Sequence, residues 1–182
     1  ILVITCKKKY VDKYLKNVKN SKKIKKIIFC TPGQNRQQSS LNSLKKLKKY
    51  KPKNVLIHDA ARPNFSINLI RNLIKILRNN KAVVPFIKSK DSIKYKIKKQ
   101  IFNLDRNNLL LTQTPQAFKF KELYNLAIKE KTKVSDEATF FINNNYKIKF
   151  ILGENKNNKI TYLNDVETSK TYFGIGFDIH KL

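Results

Sequence analysis

Short apolar runs recur along the chain, separated by stretches in which apolar residues return every third or fourth position. The runs ILVIT (1–5), IKKIIFC (24–30), NVLIH (54–58) and AVVPF (82–86) have the length and β-branched content of buried strands. Between the first two, residues from about Lys9 to Val18 read as a helix. From Arg36 to Lys49, Leu41, Leu44 and Leu47 recur at helical spacing with lysines between them. Over 66–78, Leu69, Ile70, Leu73, Ile74 and Leu77 form a broad apolar face, and Ser66 stands where an N-cap belongs. Strands alternating with helices predict an α/β fold, a Rossmann-like and mostly parallel sheet flanked by helices.

The rhythm breaks after the fourth run. Residues 91–108 (DSIKYKIKKQIFNLDRNN) alternate apolar and charged positions with no helical period. That pattern predicts a two-stranded β-arm protruding from the body. NLLLTQTP (108–115) returns to the sheet. Helices are expected at about 119–131 and 135–144, a strand at 147–152 and a last helix at about 164–172. The ten residues FGIGFDIHKL (173–182) read as the first strand of something new.

Composition changes this picture little. The 182 residues suit one domain with a sizeable core. The 40 Lys and Arg against 12 Asp and Glu give a net charge of +28. Such a field draws in anionic substrates and makes binding sensitive to salt. The lysines are spread over every segment and form no single block, which argues for compositional bias and against a nucleic-acid partner. The two cysteines, Cys6 and Cys30, have no metal-ligand spacing, and each follows an apolar run. They read as buried free thiols in a reducing compartment such as the cytoplasm. No apolar run has the length of a membrane span. The chain opens at Ile1 and contains no Met, so the expectation is a protein that has lost its own start.

Ligands of open α/β sheets bind beyond the carboxyl ends of the strands. Three polar clusters fall at such ends: TPGQNRQQS (31–39), HDAARP (58–63) and GENKNNKIT (153–161). Their expected convergence on one rim points to a nucleotide site. Asp59 is a candidate Mg²⁺ ligand, because Mg²⁺ at phosphate sites uses one or two carboxylates. Arg62 and Lys159 are candidate phosphate contacts, and Asn157 shapes the Lys159 loop. Ala60 and Ala61 leave room for a ribose or base against the backbone, and Gly33 allows close backbone approach. His58 reads as structural, since its neighbours already fill the phosphate roles.

Seven stretches in order carry a resemblance: GQNRQQS (33–39), VLIHDAARP (55–63), KDSIK (90–94), DRNNL (105–109), QTPQAF (113–118), SDEAT (135–139) and GENKNNKIT (153–161). In these, residues 1–172 are similar to the 2-C-methyl-D-erythritol 4-phosphate cytidylyltransferases, nucleotidyltransferases of non-mevalonate isoprenoid biosynthesis. The resemblance implies that the loop of Gly33 and Ser39 reads the cytosine. It implies that Asp59 lies near the reacting phosphates and Mg²⁺, and that Lys159 stabilises charge at the α-phosphate. Arg62 falls on the methylerythritol phosphate side, with Ser135 at a position where the family has Thr. Ser92 and Arg106 would reach the substrate phosphate of a neighbouring subunit, which implies a homodimer built through the 91–108 arm. The family's first strand and glycine-rich triphosphate loop have no counterpart here, and Pro32 replaces one of two glycines, removing a backbone donor.

The tail GIGFDIHKL (174–182) resembles the opening of 2-C-methyl-D-erythritol 2,4-cyclodiphosphate synthase. There, Asp178 and His180 would be two ligands of a divalent metal, usually Zn²⁺. Residues 173–182 are therefore expected to begin a second, fused domain, with a higher oligomer open to the fusion. The reaction implied is transfer of a cytidylyl group from CTP to methylerythritol phosphate, with pyrophosphate leaving. The given residues alone are expected to be inactive. The alternatives are a pentitol-phosphate cytidylyltransferase, against which the tail argues, and a basic nucleic-acid-binding protein on the same fold.

Overall fold

A computed structural model of the chain describes residues 1–18, 24–130 and 132–165. The chain divides into two compact units. One takes the described residues of 1–53, 120–140 and 160–165; the other takes 54–119 and 141–159.

In the first unit, β1 (Leu2–Thr5) and β2 (Ile27–Cys30) pair in parallel. A 3-10 turn at Lys8–Tyr10 and α1 (Val11–Val18) follow β1. Helix α2 (Arg36–Lys48) begins at Asn35, whose side chain accepts the Gln38 amide and so satisfies one of the helix's orphan donors. Its Leu44 and Leu47 are buried, and it packs against β1, β2 and α4 (Phe120–Lys129). Lysines crowd its last turn, where cations complement the carbonyl end of the helix dipole. The unit also holds the first turn of α5 (Glu137–Asn143).

The second unit is a five-stranded sheet with α3 (Ile67–Leu77) against it. The strands are β3 (Asn54–Ile57), β4 (Ala82–Ile87), β7 (Leu111–Thr112), β8 (Gln116–Lys119) and β9 (Lys149–Leu152). Ser66 caps α3 as expected, its hydroxyl accepting the Leu69 amide. Leu69, Leu73 and Leu77 project at helical spacing onto Val83, Ala117 and Ile151. Truncating one such leucine to alanine typically costs about 2–5 kcal/mol. Phe118 stacks on Phe141 at 5.1 Å. The arm forms as expected, with β5 (Ile93–Ile97) and β6 (Gln100–Leu104) paired antiparallel around a two-residue turn. Lys98 in that turn is left-handed, at φ 51°, where Gly or Asn is usual.

The α/β class holds, and β3, β4 and β9 share one direction. Strand β8 departs from that direction. It lies between β3 and β4 and runs against both. Both sides of β8 are covered, so Gln116, Ala117 and Phe118 are all buried and show no alternation to read. β7 and β8 share one edge of β4, and Gln113–Pro115 break the ladder between them. The helix expected at about 164–172 and the strand at 173–182 lie largely or wholly outside the described residues.

Candidate active site

Strand β3 ends at Ile57, and the chain turns immediately. The Arg62 amide donates to the Asp59 carbonyl at 3.0 Å, closing a turn over Ala60 and Ala61. Ala60 is exposed on this turn, as a backbone surface open to a ligand requires. The turn rests on the break between β7 and β8. The Asp59 amide donates to Thr114 Oγ1 at 3.0 Å, and Thr114 Oγ1 is 3.1 Å from His58 Nδ1. His58 Nε2 is 3.0 Å from the Arg62 carbonyl. A carbonyl only accepts, so Nε2 carries the proton, and Nδ1 accepts from the Thr114 hydroxyl. Both ring nitrogens are thus used inside the protein, and Phe65 packs edge-on against the ring at 4.5 Å. Burial holds this imidazole below its ordinary value, while the Arg62 carbonyl and the Asp59 charge oppose the shift. The structural role expected for His58 fits these contacts.

Buried amides hold the β9 loop in the same unit. Gln113 Nε2 donates to the carbonyls of Glu154 (2.9 Å) and Asn157 (3.2 Å), and its Oε1 accepts the Glu154 amide. Asn157 Nδ2 donates to the Thr114 carbonyl at 2.8 Å. Gly153 must be glycine here: a Cβ would lie 2.4 Å from Gln113 Oε1 and 3.1 Å from the Phe86 carbonyl. The Glu154 carboxylate accepts from the Ser66 amide and hydroxyl, adding a negative charge at the start of α3.

This framework brings Lys159 to Asp59, with Nζ 3.2 Å from Oδ2. The lysine side chain is 46% exposed and the aspartate 17%. An ammonium and a carboxylate therefore face solvent at the carboxyl ends of β9 and β3. Arg62 is turned inward: Nη1 donates to the Asn157 carbonyl at 2.8 Å and Nη2 to that of Thr112 at 3.4 Å. Burial lowers its pKa, opposed by Asp59. Among the described residues no three His, Cys, Asp or Glu side chains cluster as a metal cage. One accessible carboxylate fits Mg²⁺, which is held mainly by water and phosphate oxygens.

The other sequence candidates are described within their own units. In the first unit, the Gly33 amide donates to Ser39 Oγ at 3.0 Å, and Ser39 Oγ donates to the Asn35 carbonyl at 2.9 Å. A Cβ on Gly33 would meet Gln38 atoms at 2.4 and 2.5 Å. Ser135 is exposed just before α5, its Oγ 3.4 Å from Thr139 Oγ1. At the arm's base Arg106 Nη1 donates to the Lys90 carbonyl at 2.7 Å, and Ser92 is exposed nearby in sequence. Asp178 and His180 lie outside the described residues. Sequence reasoning passed over Gln113, Thr114, Glu154, Arg36, Gln37 and Glu137 as functional residues. All stand inside the stretches QTPQAF, GENKNNKIT, GQNRQQS and SDEAT, which was the available signal.

The family described as 2-C-methyl-D-erythritol 4-phosphate cytidylyltransferase matches residues 1–174. The chain belongs to this family. It is 44% identical over 173 residues to a bifunctional enzyme IspD/IspF of Pelagibacter ubique, covering 94% of this chain and 47% of that protein. It is 39% identical over 152 residues to a family member from Prochlorococcus marinus (strain AS9601), covering 81% of this chain and 68% of that one. The solved 4-diphosphocytidyl-2C-methyl-D-erythritol synthase of Anaerococcus prevotii superposes with a TM-score of 0.84 at 30% identity, over 93% of this chain and 77% of that one. The chain thus spans less than half the length of the bifunctional relative it matches. No helix among the described residues is long and apolar enough to cross a membrane.

Proposed function

We propose that the full-length protein transfers the cytidylyl group of CTP to 2-C-methyl-D-erythritol 4-phosphate. A phosphate oxygen of methylerythritol phosphate attacks the α-phosphorus in line. The bond from that phosphorus to the bridging oxygen breaks, and pyrophosphate leaves with its electrons. The observation that carries the reading, beside family membership, is the Asp59–Lys159 pair set on a buried amide framework at two strand ends. Lys159 Nζ stabilises charge building on the α-phosphate oxygens. Asp59 would hold Mg²⁺, which would supply charge neutralisation for the triphosphate. Gly33, Ser39 and Ala60 take the nucleotide; Arg62, Ser92, Arg106 and Ser135 take the substrate phosphate side. The attacking oxygen belongs to the substrate, so the chain's part is positioning and electrostatics.

The arm supports a two-fold dimer. Tyr95 faces Phe102 across its ladder, both are exposed, and Ile97 is exposed on the same face. Covering that face with a second copy would remove apolar surface from water. The bifunctional relative supports a second, cyclodiphosphate-forming activity in the full-length protein, with Asp178 and His180 as ligands of Zn²⁺. Both activities would lie in the cytoplasm, where CTP is made.

The test is pyrophosphate release and ³¹P NMR of the product, with full-length protein, CTP, Mg²⁺ and methylerythritol phosphate. Turnover with this substrate is expected. Turnover confined to a pentitol phosphate, or none, would overturn the reading.

A further inference from the structure

We propose that Arg36, Gln37 and Glu137 are positioning residues that hold Ser135 where it meets the substrate phosphate. The inference rests on the transfer reaction proposed above and adds the part that orients one of its contacts. Ser135 is exposed in a segment without regular structure, and its hydroxyl lies a long 3.4 Å from Thr139 Oγ1. Its position must come from its neighbours. Arg36 forks onto Glu137, with Nη1 to Oε1 at 3.1 Å and Nη2 to Oε2 at 2.7 Å. Gln37 acts like a strand partner to the same segment, donating to the Thr132 carbonyl and accepting the Val134 amide, each at 3.1 Å. Asp136 accepts the Thr139 amide and hydroxyl and so starts α5. Two consecutive residues of the first turn of α2 therefore grip Ser135 from before and behind.

Stability alone is a weak reason for the Arg36–Glu137 pair. The Glu137 side chain is 1% exposed, and desolvating a carboxylate offsets much of what the pairing returns. What a fork-to-carboxylate contact supplies is direction, since two parallel hydrogen bonds fix both planes. The Gly33 loop hangs on different bonds, from Ser39 and Asn35. Loosening Arg36 should therefore displace Ser135 and leave the nucleotide loop in place.

Arg36→Lys in the full-length enzyme keeps the charge and loses the fork. The KM for methylerythritol phosphate should rise about tenfold, since misplacing a contact by about 1 Å costs up to about a hundredfold. The KM for CTP should move by less than about twofold, the scatter of independent effects. In a Ser135→Ala background the same substitution should add less than about twofold, because its target is gone. Gln37→Met, which leaves the ion pair intact, should show the same substrate split at smaller size, and it carries the test if Arg36→Lys does not fold. Equal rises in both KM values, or an undiminished effect in the Ser135→Ala background, would overturn the positioning role. So would unchanged constants in both variants. A wild-type enzyme inactive with these substrates would instead overturn the proposed function.

Discussion

Lys159→Ala removes an ammonium that lies 3.2 Å from the Asp59 carboxylate and is nearly half exposed. At that exposure an ion pair contributes at most about 1 kcal/mol to folding, because water screens it and two side chains must be held still. In a chain of 182 residues, about 1 kcal/mol shifts the melting temperature by about 2–4 °C. In the proposed reaction the same ammonium faces charge that builds on the α-phosphate, where a preorganised contact is worth about 3–4 kcal/mol. That converts to a loss in turnover of about a hundred- to a thousandfold. Asp59→Asn keeps the shape, removes the charge that would hold Mg²⁺, and should lose turnover on the same scale with an equally small change in melting. The assay pairs cytidylyl transfer by the full-length protein at saturating CTP with thermal melts for each variant. Turnover within about fivefold of wild type, or losses that merely track a collapse in melting temperature, would refute the electrostatic role.

Three further outcomes follow from the geometry. Gly153→Ala forces a Cβ against Gln113 Oε1 and the Phe86 carbonyl, and should cost about 1–3 kcal/mol in urea unfolding. His58 is held below its ordinary value of 6.5, so between the folded and unfolded values the unfolded chain binds a proton that the folded chain does not. Wild-type stability should be full above 6.5, fall as pH is lowered through 6.5 and level off below the folded value; His58→Gln should flatten that slope, and urea midpoints that rise toward acid would contradict it. Phe102→Lys places a charge on the apolar face of the arm and should dissociate the proposed dimer in sedimentation while leaving the melting of the body intact.

Much of this was readable before any coordinates. The Leu69-Leu73-Leu77 spacing and Ser66 mark α3, and the alternation of 93–104 marks the arm, because each pattern reflects one solvated and one covered side. What failed to read were elements without that contrast. β8 is short, follows a proline and is covered on both sides, so periodicity is silent over Gln116–Phe118. Gln113 and Asn157 look like ordinary loop residues; that they are buried is decided by backbone groups far along the chain. Asp59 and Lys159 are 100 positions apart, and Arg36 and Glu137 are 101 apart. No local spacing rule spans such gaps: the strand-end position marked Lys159 as a phosphate candidate, but nothing in either stretch paired it with Asp59.

The seat beneath Asp59 consists of side-chain amides and a hydroxyl from Gln113, Thr114 and Asn157. Hydrogen bonds between neutral groups are nearly indifferent to ionic strength, whereas the field of 40 surface-rich cations is not. A coding sequence drifting toward lysine codons can therefore rewrite the periphery without disturbing this seat. Steering of anions should vary with the salt of the surroundings; the orientation of the aspartate should not.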